Sequence, residues 1–545
     1  MHRWPKFVSL LLLALAACCV TVAAQDVEER SLGDIAREAR EAREKRRLDV
    51  QVTPEDAKAF FASVDEILNF ASQDTGFPTR GPVQRRLVGR EHVRNMVSEG
   101  LGAETQEKLA RSELVLKKFG LLPADFMLRD FLVKNTAQHV AGYYDFRDKT
   151  MYLLNWVPLE LQRPIMAHEL THALQDQNYS LSKFSHSPPQ YQQGAAAAST
   201  SMTEADEGEF HSTRAAVVEG QAMVVFIDYL LKPTGLTLAN SPRAQDAISV
   251  NVQSYDLPLN LHGAPRVLRE STTFPYREGL GFEVELLRRG GRQMAFAGAL
   301  TRPPANTHQI LHPEAYLEKS ATGAMAIPDL RPVLGAEYEI YDRGMMGELD
   351  ARIMAQEFGR ENDLYTVAAT WNGGGYVAVK RAGIASQKLT PSDISLLYIS
   401  RWKTAKAAKR FAEIYKAALA KRENVERDQT VDNTNCMEAA CSGGTLWSAK
   451  LLTNQGTSYL EILPGNTVFI AQGFEEALAA RLRQQLLNPA AAQLSPAPMH
   501  ELSLSLYESV EFRAFHEQFG DEWKRSLVKV IRGAEASAED GGGTD

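Results

Sequence analysis

Residues 168 to 172 read His-Glu-Leu-Thr-His, and this pattern works as a unit on only one kind of backbone. On a helix, residues four apart lie one above the other, so both imidazoles face the same way. They can then hold one metal ion between them, with Glu169 close enough to reach a water at that ion. Two neutral imidazoles and an acid beside a water site are the parts that metal-assisted hydrolysis needs. With 12 His in 545 residues, chance gives roughly 0.02 such matches in a chain this long. The flanks agree with a helix. Pro164 suits a first turn, and Ile165, Met166, Leu170, Ala173 and Leu174 supply an apolar face. The plainer alternative is a helix carrying two unrelated histidines.

A hydrolytic zinc site takes a third protein ligand and keeps one position open. The metzincin continuation needs Gly at 175 and His at 178, and this chain has Gln175 and Asn178. The third ligand therefore lies further along. Glu219 is the best candidate, because it stands alone among aliphatic residues in Arg214-Ala-Ala-Val-Val-Glu219-Gly-Gln-Ala-Met223. A carboxylate buried there needs a partner. Glu204, Asp206, Glu207, Glu209 and His211 are rivals, in a polar stretch that reads as a solvated lead-in.

The block Ala167-His-Glu-Leu-Thr-His-Ala-Leu-Gln-Asp-Gln177, followed by Val218-Glu219-Gly220, resembles the gluzincin metallopeptidases. More narrowly it is similar to a group of bacterial secreted proteins sharing the H-E-x-T-H-A-L-Q-D-Q block. Val140-Ala-Gly-Tyr-Tyr-Asp145, Phe274-Pro-Tyr276-Arg-Glu-Gly279 and Gln309-Ile-Leu-His312-Pro-Glu314 extend the likeness over residues 140 to 317. The resemblance implies His168, His172 and Glu219 as zinc ligands and Glu169 as general base. It implies no substrate. The spacing from His172 to Glu219 is longer than in thermolysin-like enzymes.

At 545 residues the chain exceeds a single core. The expected fold class is α+β: a mainly helical, zincin-like catalytic domain with a short N-terminal hairpin, plus a smaller α+β C-terminal domain. Residues 1–24 read as a signal peptide, with Arg3 and Lys6 before an apolar run and Val22-Ala-Ala24 as the cleavage site. Leu15-Ala-Ala-Cys18 is an alternative lipobox, and lipidation at Cys18 would be the only expected tie to a membrane. Either way the protein is expected outside the cytoplasm, periplasmic or secreted. Without Arg3 and Lys6, 58 basic residues face 68 acidic ones, a net charge of −10. Such a balance argues against nucleic acid as a partner. Cys436 and Cys441 remain, and an exported compartment permits a local disulfide.

Residues 25–120 read as a charged arm and a helical cap, with few strand signals, and 121–325 as the catalytic domain. Within the latter, Val140 to Leu154 reads as a hairpin turning at Asp145 to Lys149, which could offer an edge strand to an extended peptide. Residues 180–210 read as a loop between the two metal-bearing helices. Residues 326–490 form the α+β accessory domain: a helix at 347–358, strands at 366–371 and 376–380 around a turn at Asn372-Gly-Gly-Gly375, a helix at 404–421, strands at 446–452, 458–463 and 467–471, and a helix at 475–487. Residues 491–545 read as linker, short helix and disordered tail.

The function these signs favour is an exported zinc metallopeptidase acting on a peptide or protein substrate. A non-catalytic scaffold with the same fold and a zinc hydrolase of non-peptide amides are the alternatives. An intact Glu169 favours catalysis, since a purely structural site needs no base. Tyr276, His308 and His312 are candidate donors to the oxyanion. His308 and His312, four apart, could instead share a second metal site. Asp176, four after His172, could accept its second ring N–H.

Overall fold

The computed structural model describes residues 52–100, 103–139, 142–156, 159–186, 207–251, 263–320, 325, 327–385, 389–432 and 446–487. The expected signal peptide at 1–24 with Cys18, the expected loop around Gly194, Cys436, Cys441 and residues 491–545 lie outside them. The protein is mixed α+β, with a helical part and a β-sheet region.

The N-terminal helices are α1 (Pro54–Phe61), α2 (Val64–Thr75), α3 (Arg90–Gly100), α4 (Ala103–Phe119) and α5 (Leu128–His139). Thr53 caps α1 by accepting from the Asp56 N–H, and Pro54 follows at its first position. One strand, β1 (Gln84–Val88), interrupts this helical run. Its sequence, Gln-Arg-Arg-Leu-Val, lacks apolar alternation, which is why it was illegible as a strand. Pairing alone defines it: β1 runs parallel to β3 (Thr150–Leu154), with Gln84 opposite Thr150. The expected hairpin is present, β2 (Gly142–Asp145) lying antiparallel to β3. Lys149 adopts a left-handed φ of 59° in its turn.

The central helices follow. They are α6 (Leu159–Tyr179), α7 (Leu181–His186), α8 (Glu207–Leu231), α9 (Pro242–Asn251) and α10 (Arg266–Gln293), then α11 (Thr307–Leu311) and α12 (Pro313–Leu317). Pro164 sits in the second turn of α6 rather than the first, because the helix begins at Leu159. Of the stretch expected to be a solvated lead-in, Glu209 and His211 lie at the start of α8 and are buried there. Helices α8 and α10 approach closely where glycines meet. A Cβ on Gly220 would lie 2.4 Å from the Gly279 oxygen, and one on Gly279 would lie 2.2 Å from the Ala216 oxygen. Any larger residue would push these helices apart.

The sheet region holds α13 (Arg331–Leu334), β4 (Tyr338–Met345), α14 (Glu348–Phe358), α15 (Asp363–Thr366), β5 (Trp371–Arg381) and β6 (Ile394–Trp402). It continues with α16 (Ala405–Arg422), β7 (Val425–Asp432), β8 (Trp447–Thr453), β9 (Gly456–Leu463), β10 (Thr467–Gln472) and α17 (Glu476–Leu487). The seven strands are ordered β4-β5-β6-β10-β9-β8-β7, each antiparallel to its neighbour. Two expectations fail here. Thr366 to Thr370 is helical and 3-10 backbone, not strand. The Gly run is no turn but the start of β5, with a register shift between Trp371 and Gly374. Gly374 serves close packing there, since a Cβ would lie 2.9 Å from the Met346 oxygen.

Side chains alternate across the sheet with the period of two that a strand imposes. Val377, Val379, Leu397 and Ile399 face a small outer core that includes Leu478 and Leu482 of α17. Tyr376, Ala378, Leu396 and Tyr398 face inward and join the main core, which runs unbroken through α2, α6, α8 and α10. Phe119 of α4 packs edge-on against Tyr376, Tyr398 and Tyr415 at this junction. Among the described residues no helix is long and apolar enough to cross a membrane.

Candidate metal centre

Helix α6 is buried through both its faces from Pro164 to Asp176. Polar side chains in such a helix need partners, and the two histidines find theirs in one place. His168 Nε2 lies 3.0 Å from Glu219 Oε2, and His172 Nε2 lies 3.6 Å from the same oxygen. The two imidazole centroids are 4.7 Å apart and nearly perpendicular. Glu219 comes from α8, at the turn where Gly220 lets α10 approach, so the helix crossing sets its position. All three ligand atoms lie within 4.8 Å of one another, a grouping that can hold a metal ion.

The orientation of His172 is fixed from behind. Its Nδ1 is 2.9 Å from Gln175 Oε1, and Gln175 Nε2 donates to Val218 O and to Gln221 Oε1. Gln221 in turn donates to Ala295 O and Phe296 O in the π-helical turn Met294–Gly298. With Nδ1–H donated to Gln175, Nε2 faces Glu219 and is the nitrogen a metal ion would take in place of a proton. Gln175 thus takes the place proposed for Asp176. Asp176 instead accepts from the Tyr144 hydroxyl, the Leu181 N–H and Lys149.

Glu169 is fully buried, and its Oε2 accepts the Tyr144 N–H of β2 at 2.9 Å. Burial raises its carboxyl to about 7, against the opposing pull of His168 and His172. For Glu219 burial also pushes upward, but the two imidazoles outweigh it and hold the group down at about 2. His172 is pushed down by burial and pulled up further by Glu219, reaching about 9. The protein alone therefore keeps a buried His–Glu ion pair at neutral pH. A divalent cation would take the place of that proton.

Tyr276 of α10 is buried, with its ring centroid 6.4 Å from that of His168 and tilted by 25°. His308 and His312 are not gathered at this centre; both turn to Glu348 of α14. Of the rival acids, Glu209 bonds to the Thr307 N–H and hydroxyl instead. Glu204 and Asp206 lie outside the described residues. β2 has a single sheet neighbour, yet its residues are buried and the Tyr144 N–H is already given to Glu169. A peptide pairing with this edge would have to displace that bond. Sequence reasoning missed Gln175, Gln221 and Glu348. The i,i+3 spacing from His172 was a usable signal for Gln175; nothing in the sequence linked Gln221 or Glu348 to a histidine. No family model, curated protein or solved structure matches this chain.

Proposed function

We propose that this chain is an exported, zinc-dependent hydrolase that cleaves peptide bonds. The observation that carries the reading is a buried base, Glu169, on the same helix turn as two imidazoles that converge on one oxygen of Glu219. His168, His172 and Glu219 would hold the ion, and two His with one Glu are a donor set suited to catalytic zinc. Bound zinc supplies Lewis acidity, polarising a carbonyl and making water easier to deprotonate.

The chain's own groups do the rest. Glu169 accepts the proton of the attacking water and passes it to the departing amine. Burial favours the protonated form of this carboxyl and the neighbouring positive charges favour the ionised one, the opposed pulls that suit a group taking and returning a proton. The Tyr144 N–H aims the carboxylate, and Gln175 fixes the tautomer of His172. Tyr276, whose ring lies beside that of His168, is the candidate donor to the carbonyl oxygen as charge builds on it. Export rests on the charged start, apolar run and small-residue site of residues 1–24.

The test is a peptide library incubated with zinc-loaded wild type and with Glu169→Gln. Cleavage by wild type, with retained metal but lost cleavage in the variant, is the expected result. Equal rates for the two proteins would overturn the role of Glu169. No cleavage by fully loaded wild type would overturn the peptidase reading.

A further inference from the structure

A second cluster repeats the donor set of the first at a different place. We propose that His308, His312 and Glu348 bind a second divalent transition-metal ion, of the zinc class. This site is separate from the hydrolytic one and ties the helical part to the sheet region. His312 N–H bonds back to His308 O at 2.8 Å, a helical i,i+4 link that stacks the two rings with centroids 4.5 Å apart. Both imidazoles meet one carboxylate. His308 Nδ1 contacts Glu348 Oε2, and His312 Nε2 lies 3.0 Å from Oε1. The three ligand atoms fall within 4.8 Å of one another, the same closeness as in the first triad. Two His and one Glu again suit zinc, with tetrahedral ligands about 3.3 Å apart.

The surroundings hold these ligands in place. Glu314 Oε1 lies 3.5 Å from His312 Nδ1, on the side of the ring away from Glu348. Glu348 is fully buried, and Arg352 donates to its Oε1 at 2.8 Å, so Oε2 remains for the ion. Glu209 of α8 clamps the two ligand-bearing segments together. It bonds to the Thr307 N–H and hydroxyl, next to His308, and packs so tightly on Gly347, next to Glu348, that a Cβ there would lie 2.0 Å from its carboxylate. Thr307 Oγ1 also accepts the Leu349 N–H. The competing account is an ion-pair network in which Arg352 alone balances Glu348. It predicts no metal.

The sites are distinguishable. Glu209, which braces the second cluster, and Glu219, which belongs to the first, stand ten residues apart on α8, about 15 Å along its axis. Neither triad shares a residue with the other. Ion binding at Glu348 would link α11, in the helical part, to α14, which directly follows β4.

The experiment counts metal in the full chain. Protein stripped with chelator, reloaded with Zn2+ and dialysed is analysed by mass spectrometry for zinc per chain. Wild type should hold two equivalents. His168→Ala with His172→Ala should hold one, His308→Ala with His312→Ala should hold one, and the fourfold variant none. One equivalent in wild type, unchanged in the His308/His312 variant, overturns the proposal. One equivalent in wild type that is lost only in the His308/His312 variant upholds it even if the first triad proves empty. His312 keeps 23 % of its side chain exposed, so His312→Gln is the mild variant if the double substitution does not fold. Co2+ titration of the His168/His172 variant provides a second readout. Tetrahedral visible bands saturating at one equivalent, and absent once His312→Gln is added, support the site; no bands in the first variant refute it.

Discussion

The two His–His–Glu clusters differ less in their ligands than in the fourth charged group each one holds. Around Glu219 the additional group is an acid, Glu169, buried on the helix that carries both imidazoles. Around Glu348 it is a cation, Arg352, bonded to the carboxylate itself. An acid beside the ligands can take a proton from water; a guanidinium cannot, because it never gives up its own at these pH values. The same donor set is thereby suited to chemistry at one place and to cross-linking at the other. A second contrast lies in assembly. The first cluster joins α6 to α8, the latter packed on α10 at glycines; the second joins a short helix to the start of another through Glu209.

The comparison breaks most visibly at the base. Glu169→Gln should lower hydrolysis about 10²- to 10⁴-fold with metal retained, whereas His312→Gln should leave turnover within a few fold. Equal losses in the two variants, measured as kcat/KM, would erase the proposed division of labour. Next comes the crossing that sets Glu219. Gly279→Ala forces a Cβ against the Ala216 oxygen and should destabilise by about 3 kcal/mol in urea melts. It should also release metal from the first cluster before the second, and an unaltered unfolding midpoint would contradict the close approach. Smaller again is the loss expected at Gln175. Replacing it with Ala should weaken zinc binding at His172 about 10- to 100-fold, read by competition with a coloured chelator, and leave the Glu348 cluster untouched.

A different kind of effect concerns pH. Asp342 of β4 is fully buried, accepts from the Tyr376 hydroxyl, and is raised by that burial to about 8. A carboxyl raised in the folded state binds its proton more tightly there than in the unfolded chain. Its contribution is therefore complete below the unfolded value of 3.8 and is lost as pH rises through about 8. Each such proton contributes a slope of about 1.4 kcal/mol per pH unit between those limits. Asp342→Asn should make the decline of stability from pH 5 to 8 shallower. Urea midpoints with the same slope in both proteins would show that Asp342 is ionised in the fold.

Much of the first cluster was legible because its physics is local. A helix period of 3.6 places His168 over His172, and a lone acid among aliphatics marks Glu219 as a residue that must be met by something when buried. The hairpin, the helix at 405–422 and the strands β8 to β10 were likewise legible from alternation and turn residues. Other features were not, for equally physical reasons. β1 carries no strand pattern and exists because β3 offers it an edge. The glycines 373 to 375 look like a turn, yet they lie in a strand where Gly374 and Gly375 are packed too closely for side chains.

The sequence by itself determined which residues had the chemistry: two imidazoles at helical spacing, a base between them, an isolated acid, and a second His pair whose purpose it left open. Only the tertiary structure decided which carboxylate each pair would meet. Glu219 is 47 residues beyond His172, and Glu348 is 36 beyond His312. At such separations no local periodicity relates two side chains. Their meeting depends on how helices cross, how closely glycines let them approach, and which buried groups must be satisfied at once.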